Sequence, residues 1–354
     1  MGFRGLAGHQ QAHDISETIK KANQQKELIT VSLSIGECSD SWPGGFLAFC
    51  VCNRSPAHAC AREPSSALCE GERIMKIGLF LLIQPYASVD SQLKLASEMG
   101  FDCADVTDTN AGGSMLGTAG FSPTVSLDDN PFDVKRMFDK YNMSISTLCA
   151  HANLLDPTKP SRYSTAEVMK AIKMAAAIGV KDIVTTDSEP HTQWAAKLTM
   201  EQRAFVMAEK LYEPCRMASD YGVRVLLEPH GPVTDSVEGL RMVFRLLDDA
   251  PALGVNLDTG NSWIGGGDPV AIAKEFRKKI HHIHWKDLGS EWKEKRGKVF
   301  GTGFSNIAVG DGEIDIKGVC AVLKDAPIES STLEIIAPKE TLLKSVAYLR
   351  ACGI

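Results

Sequence analysis

The sequence lacks the long apolar segments that membrane insertion requires. No apolar run in its 354 residues approaches the roughly 20 residues that span a bilayer. The N-terminus also lacks a charged segment followed by a continuous apolar core, so it does not match a secretory signal peptide. We therefore expect a cytoplasmic protein without a membrane partner.

Blocks of positive charge are missing as well. The formal net charge is −6 and the isoelectric point is about 5.9, and Lys and Arg are spread along the chain. Nucleic-acid binding needs a basic patch or stripe. The composition therefore argues against a nucleic-acid partner and favours a small soluble ligand.

The cysteines do not form the CxxC pairs of a zinc knuckle. Half of the ten cysteines lie in the first 74 residues, at Cys38, Cys50, Cys52, Cys60 and Cys69. A disulfide framework would need a secretory context, so we interpret these residues as free thiols. Residues 1–74 also mix Pro, Gly and Ser without hydrophobic periodicity. We interpret them as an irregular N-terminal extension, and both disorder and a mis-assigned start codon remain open.

From Met75 onward, short apolar runs alternate with stretches of helical periodicity. The predicted strands cover residues 75–82, 101–106, 143–150, 180–186, 223–228, 253–258, 281–286 and 331–336. The predicted helices cover residues 90–99, 131–141, 165–178, 200–221, 235–248, 268–279, 315–326 and 339–351. Eight βα units predict an α/β fold, namely a closed (β/α)8 TIM barrel, because such barrels typically take about 250 residues. This barrel, at residues 75–354, is the predicted catalytic domain. A doubly wound open sheet is the alternative.

Each of the last four predicted strands ends at, or two residues after, a residue that can bind a divalent metal: Glu228, Asp258, His284 and Glu334. In a parallel barrel these strand ends meet at one face. Three carboxylates and one imidazole suit Mn²⁺, Mg²⁺ or Co²⁺ better than a thiolate-rich structural zinc site does. Glu228 and Glu334 would flank the ion, which is the arrangement needed to move protons beside a carbonyl.

The segments LLEPHG, NLDTGN, HIHWKD, VGDGEID and TLEI resemble motifs of the sugar isomerase/epimerase superfamily, which has a xylose isomerase-like, endonuclease IV-like TIM barrel. The resemblance covers residues 75–354. It implies that Glu228, Asp258, His284 and Glu334 are the ligands of one divalent ion, with Mn²⁺ favoured and Mg²⁺, Co²⁺ and Zn²⁺ as alternatives. It also implies that Glu228 and Glu334 are the catalytic bases.

The activity that this resemblance implies is a metal-dependent sugar isomerase or epimerase. It would abstract a proton next to a ketone (enediolate chemistry) on a sugar, a keto-inositol or a 3-oxo-glycoside. The loop HWKDLGSEWKEKRGKVFGTG also resembles lyase or deglycosidase subunits that act on 3-oxo-glycosides, so that alternative stays open. We expect a small carbohydrate as substrate, and a homo-oligomer remains open.

Two further alternatives are an endonuclease IV-like abasic-site nuclease and a non-catalytic sugar-binding barrel. Asn261 stands where members with additional metals usually carry a histidine, and the loop after the seventh strand has none, which argues against the nuclease. The presence of both Glu228 and Glu334 argues against a pure binder.

Several residues near the predicted strand ends are candidates for substrate contacts. His230 follows Glu228 by two residues and therefore points to the same side of an extended segment. The alternatives are a hydrogen-bonded buried role for His151, an ion pair with Asp287 for Lys286, and core packing for the tryptophans. The candidate substrate-binding residues are His151, His230, Asn261, Lys286, Trp285 and Trp292.

Overall fold

The computed structural model describes residues 74–108, 124–160, 162–187, 192–301 and 305–354. Apart from Ile74, the proposed N-terminal extension and its five cysteines lie outside these ranges. Within these ranges, no helix is both long enough and apolar enough to cross a membrane.

Eight parallel strands close into a barrel. The ring closes because β1 pairs with β2 on one side and with β9 on the other. A two-residue strand, β3, adds to the outside of the ring by pairing with β2. The strands are β1 (Lys76–Phe80), β2 (Cys103–Asp108), β3 (Thr124–Val125), β4 (Ser144–Cys149), β5 (Asp182–Thr185), β6 (Arg224–Leu227), β7 (Leu253–Asp258), β8 (Ile280–Trp285) and β9 (Ser330–Leu333).

Helices follow the barrel strands along the chain and confirm the predicted βα alternation. They are α1 (Val89–Glu98), α2 (Pro131–Asp139), α3 (Tyr163–Ile178), α4 (Gln193–Lys197), α5 (Met200–Tyr221), α6 (Val237–Leu246), α7 (Thr259–Ile264), α8 (Pro269–Glu275), α9 (Ile316–Leu323) and α10 (Lys339–Ala351), with a 3-10 helix at Ser290–Lys295. The sequence patterns did not predict β3, α4, α7 or the 3-10 helix, which are all six residues or shorter.

Local signals explain where the long helices begin and end. A capping box starts α5, in which the Thr199 and Gln202 side chains each accept a hydrogen bond from the other's backbone N–H. Gly179 and Gly222 end α3 and α5 with φ angles of 79° and 68°, a left-handed conformation that glycine adopts without strain. These ends return the chain to β5 and β6.

The strands are buried on both faces, which explains their nearly continuous apolar runs. Every residue of β2 and of β7 is buried. Polar side chains nevertheless meet inside the ring, because Asp105 of β2 contacts His282 of β8 and Thr332 of β9. β1 separates β2 from β9 in the sheet, so these contacts cross the barrel interior and mark its polar layer.

Candidate active site and metal centre

The four predicted metal ligands lie together at the carboxyl ends of β6 to β9. Each offers one potential ligand atom, and these four atoms all lie within 4.8 Å of one another. Strand register produces this convergence. Asp258 pairs with His284 across β7 and β8, and the Glu334 backbone N–H donates to the Trp285 carbonyl oxygen at 3.1 Å. All four side chains are buried.

The imidazole of His284 lies at the centre of this cluster. Its Nδ1 atom is 2.9 Å from Glu228 Oε1 and 3.1 Å from Glu334 Oε2. Asp258 Oδ2 lies 3.9 Å from the same nitrogen. Burial alone would lower the pKa of His284, but the charge of Glu228 and the hydrogen bond to Asp105 outweigh burial and raise the pKa well above its ordinary value.

The donor atoms fit a divalent cation. Asp258 Oδ2 and Glu334 Oε2 are buried and accept no hydrogen bond of normal geometry within the described residues, although Lys286 Nζ forms an ion pair with Asp258 Oδ2 at 3.2 Å. Buried carboxylate oxygens that lack a hydrogen bond are costly, and these two lie 3.9 and 3.1 Å from the Nδ1 atom of His284. A cation at this point would satisfy all of these lone pairs. Three oxygen donors and one nitrogen donor suit Mn²⁺, Mg²⁺, Co²⁺ or Zn²⁺.

Asp258 is oriented by the helix that it starts. It is the N-cap of α7, and its Oδ1 accepts a hydrogen bond from the Asn261 backbone N–H at 2.7 Å. Because capping occupies Oδ1, Oδ2 is left facing the cluster. Burial raises the pKa of Asp258 well above its ordinary value, with Lys286 opposing and Glu334 reinforcing the effect.

Lys286 brings a positive charge into the same cluster. Its Nζ lies 3.0 Å from Glu334 Oε1, 3.2 Å from Asp258 Oδ2 and 3.0 Å from Asn261 Oδ1. Burial lowers the pKa of this lysine, but the two carboxylates outweigh burial and raise the pKa above its ordinary value. The side chain is therefore an ammonium. Gly260 makes room for it, because a Cβ at that position would collide with the Lys286 side chain.

The alternative pairing of Lys286 with Asp287 is wrong. The carboxylate of Asp287 faces backbone N–H groups instead and so builds the loop around VGDGEID. Four N–H groups donate to it at 2.9–3.2 Å, from Leu288, Gly310, Gly312 and Ile314. The backbone N–H groups of the loop thus occupy the Asp287 carboxylate, and the Lys286 ammonium contacts the cluster instead.

Two more histidines contact Glu228. His151 Nε2 lies 2.7 Å from Glu228 Oε2, and His230 Nε2 lies 3.5 Å from Glu228 Oε1. Their ring centroids are 5.3 Å apart. Burial opposes ionisation of His151, but Glu228 outweighs it and raises the pKa, whereas burial dominates at His230 and lowers the pKa. His151 is therefore protonated more readily than His230.

The two candidate tryptophans lie in different surroundings. Trp285 follows His284 in β8, and alternation turns its ring to the opposite side of the strand. The ring is fully buried in the main hydrophobic core, so the structure does not bring it to the cluster. Trp292 is half-buried on the 3-10 helix, where Lys295 Nζ lies 4.4 Å above its ring.

Asp105 is a buried carboxylate beside the cluster that the sequence analysis did not single out. The residue lies within β2 and is fully buried. Its Oδ2 atom is 3.0 Å from the Nε2 atoms of both His282 and His284. Burial raises the pKa of Asp105, but His282 and His284 outweigh burial and hold the pKa well below its usual range. A carboxylate inside a continuously buried strand was the signal that could have identified it.

Comparison with known families matches residues 93–352 to the model of the xylose isomerase-like TIM barrel. This match covers most of the chain and includes all four residues of the cluster.

An inosose dehydratase of Clostridium beijerinckii is 24% identical over 262 residues, which span 67% of this chain and 87% of that protein. The solved structure of the IOLI protein with a bound zinc atom matches with a TM-score of 0.59 and 16% identity, covering 79% of this chain and 98% of that one. The 3-keto-D-glucoside 4-epimerase YcjR of E. coli matches with a TM-score of 0.58 and 16% identity, covering 78% and 100%. The structural matches show a shared fold, and two of the three proteins are by name enzymes with small-molecule substrates.

Proposed function

Because this chain belongs to the xylose isomerase-like TIM barrel family, we propose that it is a metal-dependent isomerase or epimerase that removes a proton next to a ketone. The substrate in this proposal is a sugar or cyclic polyol bearing that ketone. The observation that carries the proposal is the convergence of Glu228, Asp258, His284 and Glu334 on one buried point.

These four residues are the proposed ligands of one divalent ion. Their oxygen-rich set favours Mn²⁺, and Zn²⁺ is the second candidate because the matched IOLI structure contains zinc. When bound, the ion supplies Lewis acidity that polarises the ketone and stabilises negative charge on its oxygen.

Glu334 is the proposed base that takes the proton from carbon. Lys286 Nζ holds Oε1 at 3.0 Å, and Oε2, which accepts no hydrogen bond within the described residues, has a second lone pair that can take a proton beside the one proposed for the ion. Burial raises the pKa of Glu334, but Lys286 and His284 outweigh burial and hold the pKa below its ordinary value. The carboxylate is thus ionised at neutral pH. Glu228, which follows β6 whereas Glu334 follows β9, is the second proposed proton carrier, and its separate place allows proton return at another position.

Lys286, Asn261, His151 and His230 are the proposed substrate contacts. The Lys286 ammonium can donate to a developing oxyanion. Among the described residues, no acceptor reaches the buried Asn261 Nδ2 atom, so it can donate to a substrate hydroxyl. The two histidines lie on the Glu228 side of the cluster, where they can contact further hydroxyls.

Dehydration is the second candidate function, and the geometry around Glu228 favours it. After a carboxylate takes the proton beside the ketone, a hydroxyl on the next carbon can leave as its C–O bond breaks and a C=C bond forms. His151, whose pKa is raised, can protonate that hydroxide so that it leaves as water. The inosose dehydratase relative supports this alternative.

Solvent deuterium incorporation tests both functions. The protein is incubated with Mn²⁺ in D₂O and a panel of ketoses, keto-inositols and 3-oxo-glucosides, and NMR follows each compound. Deuterium at the carbon next to the ketone, lost on adding EDTA, supports an isomerase or epimerase, whereas an unsaturated ketone supports the dehydratase. No exchange with any compound, despite bound metal, contradicts the proposal.

A further inference from the structure

We propose that Asp105 is a positioning residue of the metal centre, which holds the His284 ring with Nδ1 free to bind the ion. This inference rests on the proposed metal-dependent function. Asp105 contacts neither of the proposed proton carriers in any hydrogen bond of the described structure, so its effect on the site would pass through His284.

The contact joins opposite parts of the barrel. Asp105 lies on β2 and His284 on β8, with 179 residues of sequence between them. Its Oδ2 atom lies 3.0 Å from His284 Nε2, and the opposite ring nitrogen, Nδ1, faces Glu228 and Glu334 at 2.9 and 3.1 Å. The His284 imidazole therefore contacts the Asp105 carboxylate through Nε2 and faces the proposed ion site through Nδ1.

This arrangement decides which nitrogen keeps the ring proton. A neutral imidazole carries one N–H, and a metal ligand needs a lone pair, so binding through Nδ1 requires the proton on Nε2. The oxygens of Glu228 and Glu334 are acceptors that would otherwise hold a proton on Nδ1. Asp105 supplies the competing acceptor on Nε2. A carboxylate behind a metal-binding histidine is a recurrent way to fix its tautomer and ring orientation.

Asp105 is itself held in place by other donors. His282 Nε2 lies 3.0 Å from Oδ2, and Thr332 Oγ1 donates to the same oxygen at 2.5 Å. The Thr147 backbone N–H donates to Oδ1 at 2.9 Å. These contacts fix the carboxylate against the barrel wall, so that its orientation does not depend on His284.

The competing explanation is that Asp105 only satisfies polar groups inside the barrel. Asp105→Asn separates the two explanations because it keeps the shape of the side chain but offers an amide in place of one acceptor oxygen. If Asp105 positions His284, the Kd for Mn²⁺, measured from the EPR signal of free Mn²⁺, should rise about 10- to 100-fold. The matched control is Thr332→Val, which removes another donor to Oδ2 through a side chain that makes no hydrogen bond to His284, and its Kd should stay within a few-fold of wild type.

A second measurement needs no variant. In the ¹⁵N NMR spectrum of the Zn²⁺-loaded wild-type protein, His284 should show a ligated Nδ1 and a protonated Nε2. Ligation through Nε2 would overturn the inference, as would an unchanged Mn²⁺ Kd in Asp105→Asn or an equal loss of affinity in Thr332→Val. Wild-type protein that binds neither ion would instead refute the proposed metal-dependent function, so the two failures are distinguishable.

Discussion

Replacing Lys286 with methionine should destabilise the metal-free protein but strengthen metal binding. The Lys286 ammonium is 2% exposed and lies within 3.2 Å of oxygens of both Glu334 and Asp258. Methionine fills a similar volume without charge, so the two buried carboxylates lose their cation. Removing one partner of a buried ion pair costs about 3–5 kcal/mol of unfolding free energy.

A bound divalent ion should offset this loss of unfolding free energy. In Lys286→Met no ammonium repels the ion or competes for Asp258 Oδ2 and Glu334 Oε1, and the ion supplies the missing positive charge. Excess Mn²⁺ should therefore recover most of the lost unfolding free energy, and the Kd for Mn²⁺ should fall below that of wild type. Turnover should still be lost, because the proposed donor to the substrate oxyanion is gone.

Urea denaturation in EDTA and in excess Mn²⁺, together with a direct Mn²⁺ titration, measures these quantities. The control is Lys344→Met, which breaks an exposed ion pair with Asp311 and should cost at most about 1 kcal/mol with no dependence on Mn²⁺. Equal Mn²⁺-induced stabilisation of Lys286→Met and wild type, or weaker Mn²⁺ binding by the variant, would refute the reasoning.

Three further outcomes are expected. Glu334→Gln should abolish deuterium exchange while retaining much of the Mn²⁺ affinity, and an unchanged exchange rate would exclude Glu334 as the base. His284→Ala should instead lose Mn²⁺ binding in the same titration, and retained binding would contradict its role as a ligand. Burial raises the pKa of Asp187 to about 6, despite a hydrogen bond from Thr234. Its favourable contribution to the unfolding free energy is therefore fully present below about pH 4. That contribution falls by roughly 3 kcal/mol as the pH rises to about 6. Asp187→Asn should therefore gain unfolding free energy relative to wild type between pH 4 and pH 7 in urea denaturation, and a constant difference would contradict the burial argument.

The barrel was predictable because its strands are short apolar runs separated by helices with clear ends. Burial on both faces makes a strand such as β7 apolar except for the polar residues that face the barrel interior. The short helix α7 escaped prediction because it begins directly after Asp258 and spans six residues, too few for a helical period to emerge. β3 spans two residues and carries no pattern of its own.

The site was predictable where it depends on strand ends and not where it depends on contacts across the barrel. The convergence of Glu228, Asp258, His284 and Glu334 followed from parallel strands ending at one face. The contact of Asp105 with His284 crosses the interior, and no local pattern encodes it.

Sequence adjacency was also misleading in two places. Trp285 neighbours a cluster residue in the chain but points to the other side of its strand. Lys286 neighbours Asp287, yet it pairs with Asp258 and Glu334, which lie on other strand ends. In both cases side-chain direction, rather than distance along the chain, decided the contact.

The most direct test of the account is the position of the metal. Crystals of the protein grown with Mn²⁺ should show one anomalous scattering peak within coordination distance of His284 Nδ1 and of oxygens from Glu228, Asp258 and Glu334. A peak elsewhere, or protein that binds Mn²⁺ without using these four side chains, would contradict the central claim that they form one metal site.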